Sequence, residues 1–222
     1  MNSPQAIINE TTFYGILDTQ YVADEFWETK FTSLAAGGAK IIQIRAKNKT
    51  QEETRNLLDR IIATRNALSK SKRPILILNN DLALCLQYQN IGLHIKPTNS
   101  PLTEIREKLG DDRILGMSAH SPSEVASILE LDSGVLNYFS IGPIFNSATK
   151  PGASPKGLKY ITWVSKLSPK LPFFCVGGIN RRNARQVAET GGRRIVSVSD
   201  VLLAEDTAEA VRETINLVNF EQ

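Results

Sequence analysis

Short apolar runs recur along this chain, each followed by a polar break and then by a stretch with apolar residues three and four apart. The runs read as buried strands and the stretches as amphipathic helices. Phe13 to Leu17 is the first strand, and a helix from Asp24 to about Ala36 turns Phe26, Trp27, Phe31 and Leu34 inward before Gly37-Gly38 ends it. Lys40 to Arg45 is the second strand. Thr50-Gln51-Glu52-Glu53 is a capping box opening a helix with Leu57, Leu58, Ile61 and Ile62 on one face. The pattern continues with strands at Ile75–Leu78, Gly92–Ile95, Ile114–Ser118, Tyr138–Ile141, Phe173–Val176 and Ile195–Val198. Between them, a short helix is expected over Leu82–Leu86, and helix starts at Asn99 or Ser100 with Pro101 in the first turn, at the Ser121 capping box, near Leu158, at Asn180 and at Asp206. The helix after Ser121 is expected to bury Val125, Ile128 and Leu129, and the last helix Val211, Ile215 and Val218.

About eight strand–helix units in 222 residues predict an α/β chain folded as a single (β/α)8 TIM barrel over residues 1–222. A doubly wound open sheet is the second choice. No linker, repeat or low-complexity segment divides the chain.

Composition adds little beyond a globular class: 41% hydrophobic and 22% charged residues. The net charge of +3 is too small to imply nucleic acid, and no basic block is interleaved with aromatics. Arg181-Arg182 and Arg193-Arg194 read as solvated or phosphate-facing pairs. No run approaches the ~20 apolar residues of a membrane span, and the N-terminal stretch lacks a signal pattern, so a soluble cytoplasmic protein is expected. Cys85 and Cys175 lack zinc-type spacing and read as small buried hydrophobes.

Candidate chemistry sits where strands end, because the C-terminal mouth of a barrel gathers those residues. Gln43, Arg45 and Lys47 follow one face of the second strand. Asn79 and Asn80 end the third, His94 lies in the fourth, and Ser118 and His120 end the fifth. The sixth is followed by Gly142-Pro143 and a polar tail holding Ser147, Thr149 and Lys150. Gly177-Gly178 ends the seventh and Ser199 the eighth, with Val201 two residues on. Cations and hydroxyls with almost no carboxylate make an anion site. Glycines at the seventh strand suit a phosphate approached by backbone N–H groups. His94 reads as a packed core histidine.

These motifs resemble the thiamine phosphate synthase family, which shares a superfamily with bacterial thiazole tautomerases. The resemblance rests on Gln43-Ile44-Arg45-Ala46-Lys47, Asn79, Gly116-Met117-Ser118-Ala119-His120, Gly142-Pro143-Ile144-Phe145 with Thr149-Lys150, Gly157-Leu158, Val176-Gly177-Gly178-Ile179 and Ser197-Val198-Ser199. It implies an enzyme of thiamine biosynthesis that joins a pyrimidine methyl diphosphate to a thiazole phosphate and releases pyrophosphate. The implied mechanism is dissociative, so the protein must stabilise a departing diphosphate. By this resemblance Arg45, Lys47 and Lys150 grip the pyrophosphate, and Asn79 and Ser118 orient it. Gln43 and Thr149 position the organic partners, and Gly177, Gly178 and Ser199 hold the thiazole phosphate. Ser147 and Val201 complete the substrate-binding set, and His120 is placed for a proton shuttle, as a histidine can be near neutral pH.

The chain departs from the family where the resemblance implies magnesium carboxylates. Asn80 and Asn99 stand there instead, and an amide is a poorer ligand for Mg2+ than a carboxylate. Magnesium dependence is therefore expected to be weakened or absent. Asp81 is the nearest substitute ligand, and Lys96 is either a solvated lysine or a substitute cation. Two further readings remain open: a thiazole tautomerase, and a non-catalytic member binding thiamine-pathway phosphates. The partners implied are these small-molecule phosphates; the oligomeric state, homo-oligomer included, is left open.

Overall fold

The computed structural model describes residues 3–98, 100–147, 152 and 154–219. Its strands are β1 Phe13–Asp18, β2 Ile41–Arg45, β3 Ile75–Asn79, β4 Ile91–Ile95, β5 Leu115–Ala119, β6 Tyr138–Ile141, β7 Phe173–Cys175 and β8 Ile195–Ser197. All pair in parallel and in sequence order, and β8 returns to β1 through Phe13–Ile195 and Tyr14–Val196, so the sheet closes. The helices are α1 Pro4–Glu10, α2 Trp27–Ala36, α3 Gln51–Ala67, α4 Leu82–Cys85, α5 Leu102–Leu109, α6 Pro122–Leu129, α7 Leu158–Lys166, α8 Ala184–Glu189, α9 Ser199–Leu202 and α10 Thr207–Val218. This is the expected (β/α)8 barrel, and closure excludes the open sheet. Among the described residues, no helix is long and apolar enough to cross a membrane.

Local chemistry sets most helix starts. Thr50 and Glu53 form the reciprocal capping box of α3. Asp206 Oδ1 accepts from Glu209 N at 2.9 Å and opens α10. Ser121 caps α6, but the Glu124 carboxylate reaches back to His120 N at 2.5 Å rather than to Ser121 N. The cap therefore also anchors the residue that ends the β5 loop.

Several expectations need correction. Asn180 does not cap α8: its Oδ1 accepts from Arg182 N in a local turn, and the helix begins later, at Ala184. Ser100 does not cap α5, because its N–H is turned to Thr98 Oγ1 at 3.1 Å; Pro101 occupies the cap position, and Asn99 lies outside the described residues. Phe26 is 56% exposed, since Asp24–Phe26 is a 3-10 turn whose tighter winding carries it off the buried face of α2. Leu129, at the last position of α6, is also exposed. The pattern also hid α1 and the four-residue α9, which are too short to show a period.

The core has two layers. Tyr14, Ile41, Ile77, Ile114, Tyr138, Phe174 and Val196 fill the barrel interior, and Ile8 of α1 joins them. A larger cluster, including Trp27, Phe31, Leu58, Ile61, Phe139 and Ile161, lies between strands and helices. Gly116 is required by the first layer: a Cβ there would lie 2.1 Å from Tyr138 Cζ.

Both cysteines are buried and free. Burial pushes the Cys85 thiol up to about 11, against the pull of nearby Arg113, and pushes Cys175 up as well. A disulfide reagent such as dithiobis(nitrobenzoate) at pH 8 is expected to label neither thiol in the folded protein and both after denaturation. Rapid labelling of Cys175 in the native state would contradict the packing of β7.

Candidate active site

A cavity of about 920 Å3 opens at the C-terminal ends of the strands. Gln43, Arg45, Lys47, Asn79, Asn80, Asp81, Lys96, Ser118, His120, Ser147, Gly177, Gly178 and Ser199 all line it. Residues scattered over more than 150 positions are thus brought to one mouth by closure of the barrel. Thr149, Lys150 and Asn99 lie outside the described residues. Val201 does not line the cavity: its side chain is fully buried in the core, so only its backbone could meet a substrate.

The cavity is less free of carboxylates than the strand ends suggest. Asp18, at the end of β1, is fully buried and forms an ion pair with Arg45 at the register position where β1 meets β2. Asp18 Oδ1 also accepts from Gln20 N at 3.0 Å. The only sequence signal for Asp18 is its place at the end of an apolar run. Lys49 also lines the cavity and is paired with Asp24 at 2.7 Å. Lys47, Lys96 and Lys156 line it with no carboxylate partner among the described residues. Lys156 was not singled out from the sequence. It enters because its backbone N–H bonds Pro143 O at 2.8 Å, tying the segment before α7 to the β6 loop.

Beneath this rim a buried hydrogen-bond chain crosses the barrel. Gln43 Nε2 donates to the Tyr14 hydroxyl at 3.0 Å, and Tyr14 and Tyr138 hydroxyls are 2.8 Å apart. Tyr138 meets His94 Nδ1 at 3.0 Å, and His94 Nε2 meets Ser118 Oγ at 2.9 Å. Burial pushes both phenols above their ordinary value, so both stay protonated at neutral pH. An amide nitrogen only donates, so the Tyr14 hydroxyl accepts from Gln43; the further links from Tyr14 through Tyr138 and His94 to Ser118 run in either direction according to the histidine tautomer. His94 is buried as expected, but it also lines the cavity and fixes a hydroxyl there.

His120 is held differently. Its Nδ1 donates to the Gly142 carbonyl at 2.9 Å, since a carbonyl can only accept. The lone pair of the neutral ring is then on Nε2.

Gly177 and Gly178 have φ of +100° and +65°, and a Cβ on either would strike the β6 loop, at Pro143 Cβ (2.5 Å) and Asn146 O (2.3 Å) respectively. Glycine here therefore lets the β6 and β7 loops close on each other at the cavity rim. The basic pairs are not part of it. Arg181 pairs with Asp200 and Glu213, and Arg194 donates to Asn9 O at the opposite end of the barrel.

Of the positions discussed for magnesium, those among the described residues, Asn80 and Asp81, carry oxygens with other partners. Asn80 adopts φ 64°, and its Oδ1 accepts from Lys96 N at 3.0 Å. Asp81 Oδ1 caps α4 by accepting from Leu84 N at 2.8 Å, and Oδ2 accepts from Gln51 Nε2 at 3.3 Å. Among the described residues, no group of three or more His, Cys, Asp or Glu is arranged to hold a metal. This donor set does not fit a magnesium ion, which favours carboxylates in near-octahedral array.

Fold and site together define an α/β-barrel protein with a lysine-rimmed cavity at the strand ends. The family model described as thiamine monophosphate synthase matches residues 13–201, and the chain belongs to that family. It is 31% identical over 187 residues to a thiamine-phosphate synthase of Caldicellulosiruptor bescii, covering 83% of this chain and 82% of that one. It is 34% identical over 179 residues to that of Thermus thermophilus, covering 80% and 82%. In fold it is similar to a thiamine phosphate pyrophosphorylase from Pyrococcus furiosus, with a TM-score of 0.78 over 96% of this chain and 97% of that one, at 24% identity.

Proposed function

We propose that this chain is a thiamine phosphate synthase. It would join 4-amino-2-methyl-5-hydroxymethylpyrimidine diphosphate to a thiazole phosphate and release pyrophosphate. The carrying observation is the shared cavity of Arg45, Lys47, Ser118 and the Gly177-Gly178 corner, in a chain whose relatives bear that name. In this reading the C–O bond to the diphosphate breaks with its electron pair going to the leaving oxygen. The thiazole nitrogen then supplies the pair for the new C–N bond. Charge grows on the diphosphate, so donors already aimed at it lower the barrier. The Arg45 guanidinium, the Lys47 ammonium and the Ser118 hydroxyl proton are those donors, and Lys150 is assigned to the same group. Asn79 orients the same diphosphate, Gln43 holds the organic part, and Ser199 and the glycine corner hold the thiazole phosphate.

Purified protein given both substrates, with and without Mg2+, is expected to form thiamine phosphate and pyrophosphate in stoichiometric amounts. Absence of both products at any magnesium concentration would refute the synthase reading. A second reading is favoured by His120, whose Nε2 lone pair beside the cavity suits a proton shuttle. Under it the protein isomerises a thiazole phosphate alone, and His120→Ala abolishes that exchange.

A further inference from the structure

We propose that the cavity binds a diphosphate group without a divalent metal, with Lys96 and Lys156 in the electrostatic role that such a metal would fill. This rests on the diphosphate chemistry proposed above and specifies how that site holds its ligand.

The oxygens that could hold a metal are committed to the fold. Asn80 Oδ1 pins the Lys96 backbone, and both Asp81 oxygens accept hydrogen bonds. The amide at position 80 thus helps to set the loop that carries Lys96. Its left-handed backbone, φ 64°, is one that asparagine tolerates better than most residues.

The charges point the same way. Arg45 is neutralised by Asp18 and Lys49 by Asp24. Lys47, Lys96 and Lys156 have no carboxylate partner among the described residues, and all three line the cavity. The Asn80 amide brings no charge, and the Lys96 ammonium on the loop it pins brings +1, so the site stays attractive to an anion without a metal. Lys47 and Lys156 are placed by backbone bonds, Thr19 Oγ1 to Lys47 O at 2.9 Å and Lys156 N to Pro143 O at 2.8 Å. The three ammoniums thus approach from the loops after β2, β4 and β6.

The test is calorimetric titration of the full chain with inorganic pyrophosphate, in chelator and in millimolar Mg2+. Binding in chelator is expected, with no gain from magnesium. Lys96→Ala and Lys156→Ala should each weaken it about tenfold, the loss of one charge-assisted hydrogen bond. Lys40→Ala, on a lysine paired with Glu10 away from the cavity, should leave it unchanged. Asn80→Asp should restore a metal-dependent component. All four positions bar Asn80 are exposed, so circular dichroism should be unaltered in the alanine variants. Binding only with magnesium, or Lys96→Ala and Lys156→Ala that bind like the parent chain, would overturn the proposal. Pyrophosphate binding in chelator without thiamine phosphate synthesis supports the lysine site and counts against the synthase reading alone. Synthesis coupled to strictly magnesium-dependent binding does the reverse.

Discussion

Arg45→Ala is expected to lower the stability of the protein by about 3–5 kcal/mol, because it leaves a buried carboxylate without its counter-charge. Asp18 is fully buried, and the Arg45 side chain is only 13% exposed. For a chain of this size the midpoint of thermal unfolding should fall by roughly 6–20 °C. Arg45 also lines the cavity, so under the proposed synthase reading thiamine phosphate synthesis should drop by about a hundredfold or more where the protein remains folded. The two effects separate in the double variant Asp18→Asn/Arg45→Met. Removing both charges should return most of the lost stability, since a buried pair is often no better than a neutral replacement. It should return none of the activity. Equal melting of Arg45→Ala and the parent chain would show that the pair does not hold β1 and β2 in register.

Gly116→Ala tests the interior. The added methyl would lie 2.1 Å from Tyr138 Cζ, and 2.4 Å from Cε1, in a fully buried layer. Neither the β5 backbone nor the ring can yield cheaply, because Tyr14 and Phe174 pack edge-on against Tyr138 with centroids 5.7 and 5.4 Å away. A destabilisation of about 1–3 kcal/mol is expected from the overpacking, measured by urea unfolding. Displacing the ring also breaks the Tyr138–His94 link and with it the buried chain that ends at Ser118. Near-ultraviolet circular dichroism should report the altered tyrosine packing. Tyr138→Leu placed on Gly116→Ala should recover part of the stability without restoring the hydrogen-bond chain. A Gly116→Ala protein with native stability and spectrum would mean that the ring has room it does not show.

Much of the barrel was legible before any coordinates. Apolar runs ending in polar residues marked all eight strands, because burial on both faces leaves no alternation to confuse. Arg45, Lys47, Ser118 and Gly177 were found by position, since a parallel barrel sends every strand's C-terminal end to one mouth. Asp18 was missed because the partner that makes it significant, Arg45, is 27 residues away. Lys156 was missed because it follows no strand directly and is carried in by a backbone bond to Pro143. His94 was read as a core residue, and burial agrees, but its two hydrogen bonds join β4 to β6 and to β5. Phe26 and Leu129 show the limit of helical periodicity at helix ends, where winding changes or the helix stops.

The chain alone determined its eight strands, most of its helices and its family, since hydrophobic period, caps and short motifs are properties of neighbouring residues. Only the tertiary structure decided which cations among the described residues pair with carboxylates, which oxygens are committed to the fold, and how a buried hydrogen-bond chain joins Gln43 to Ser118. Those are relations across strands. They exist only once the register of eight strands is set and the ring is shut.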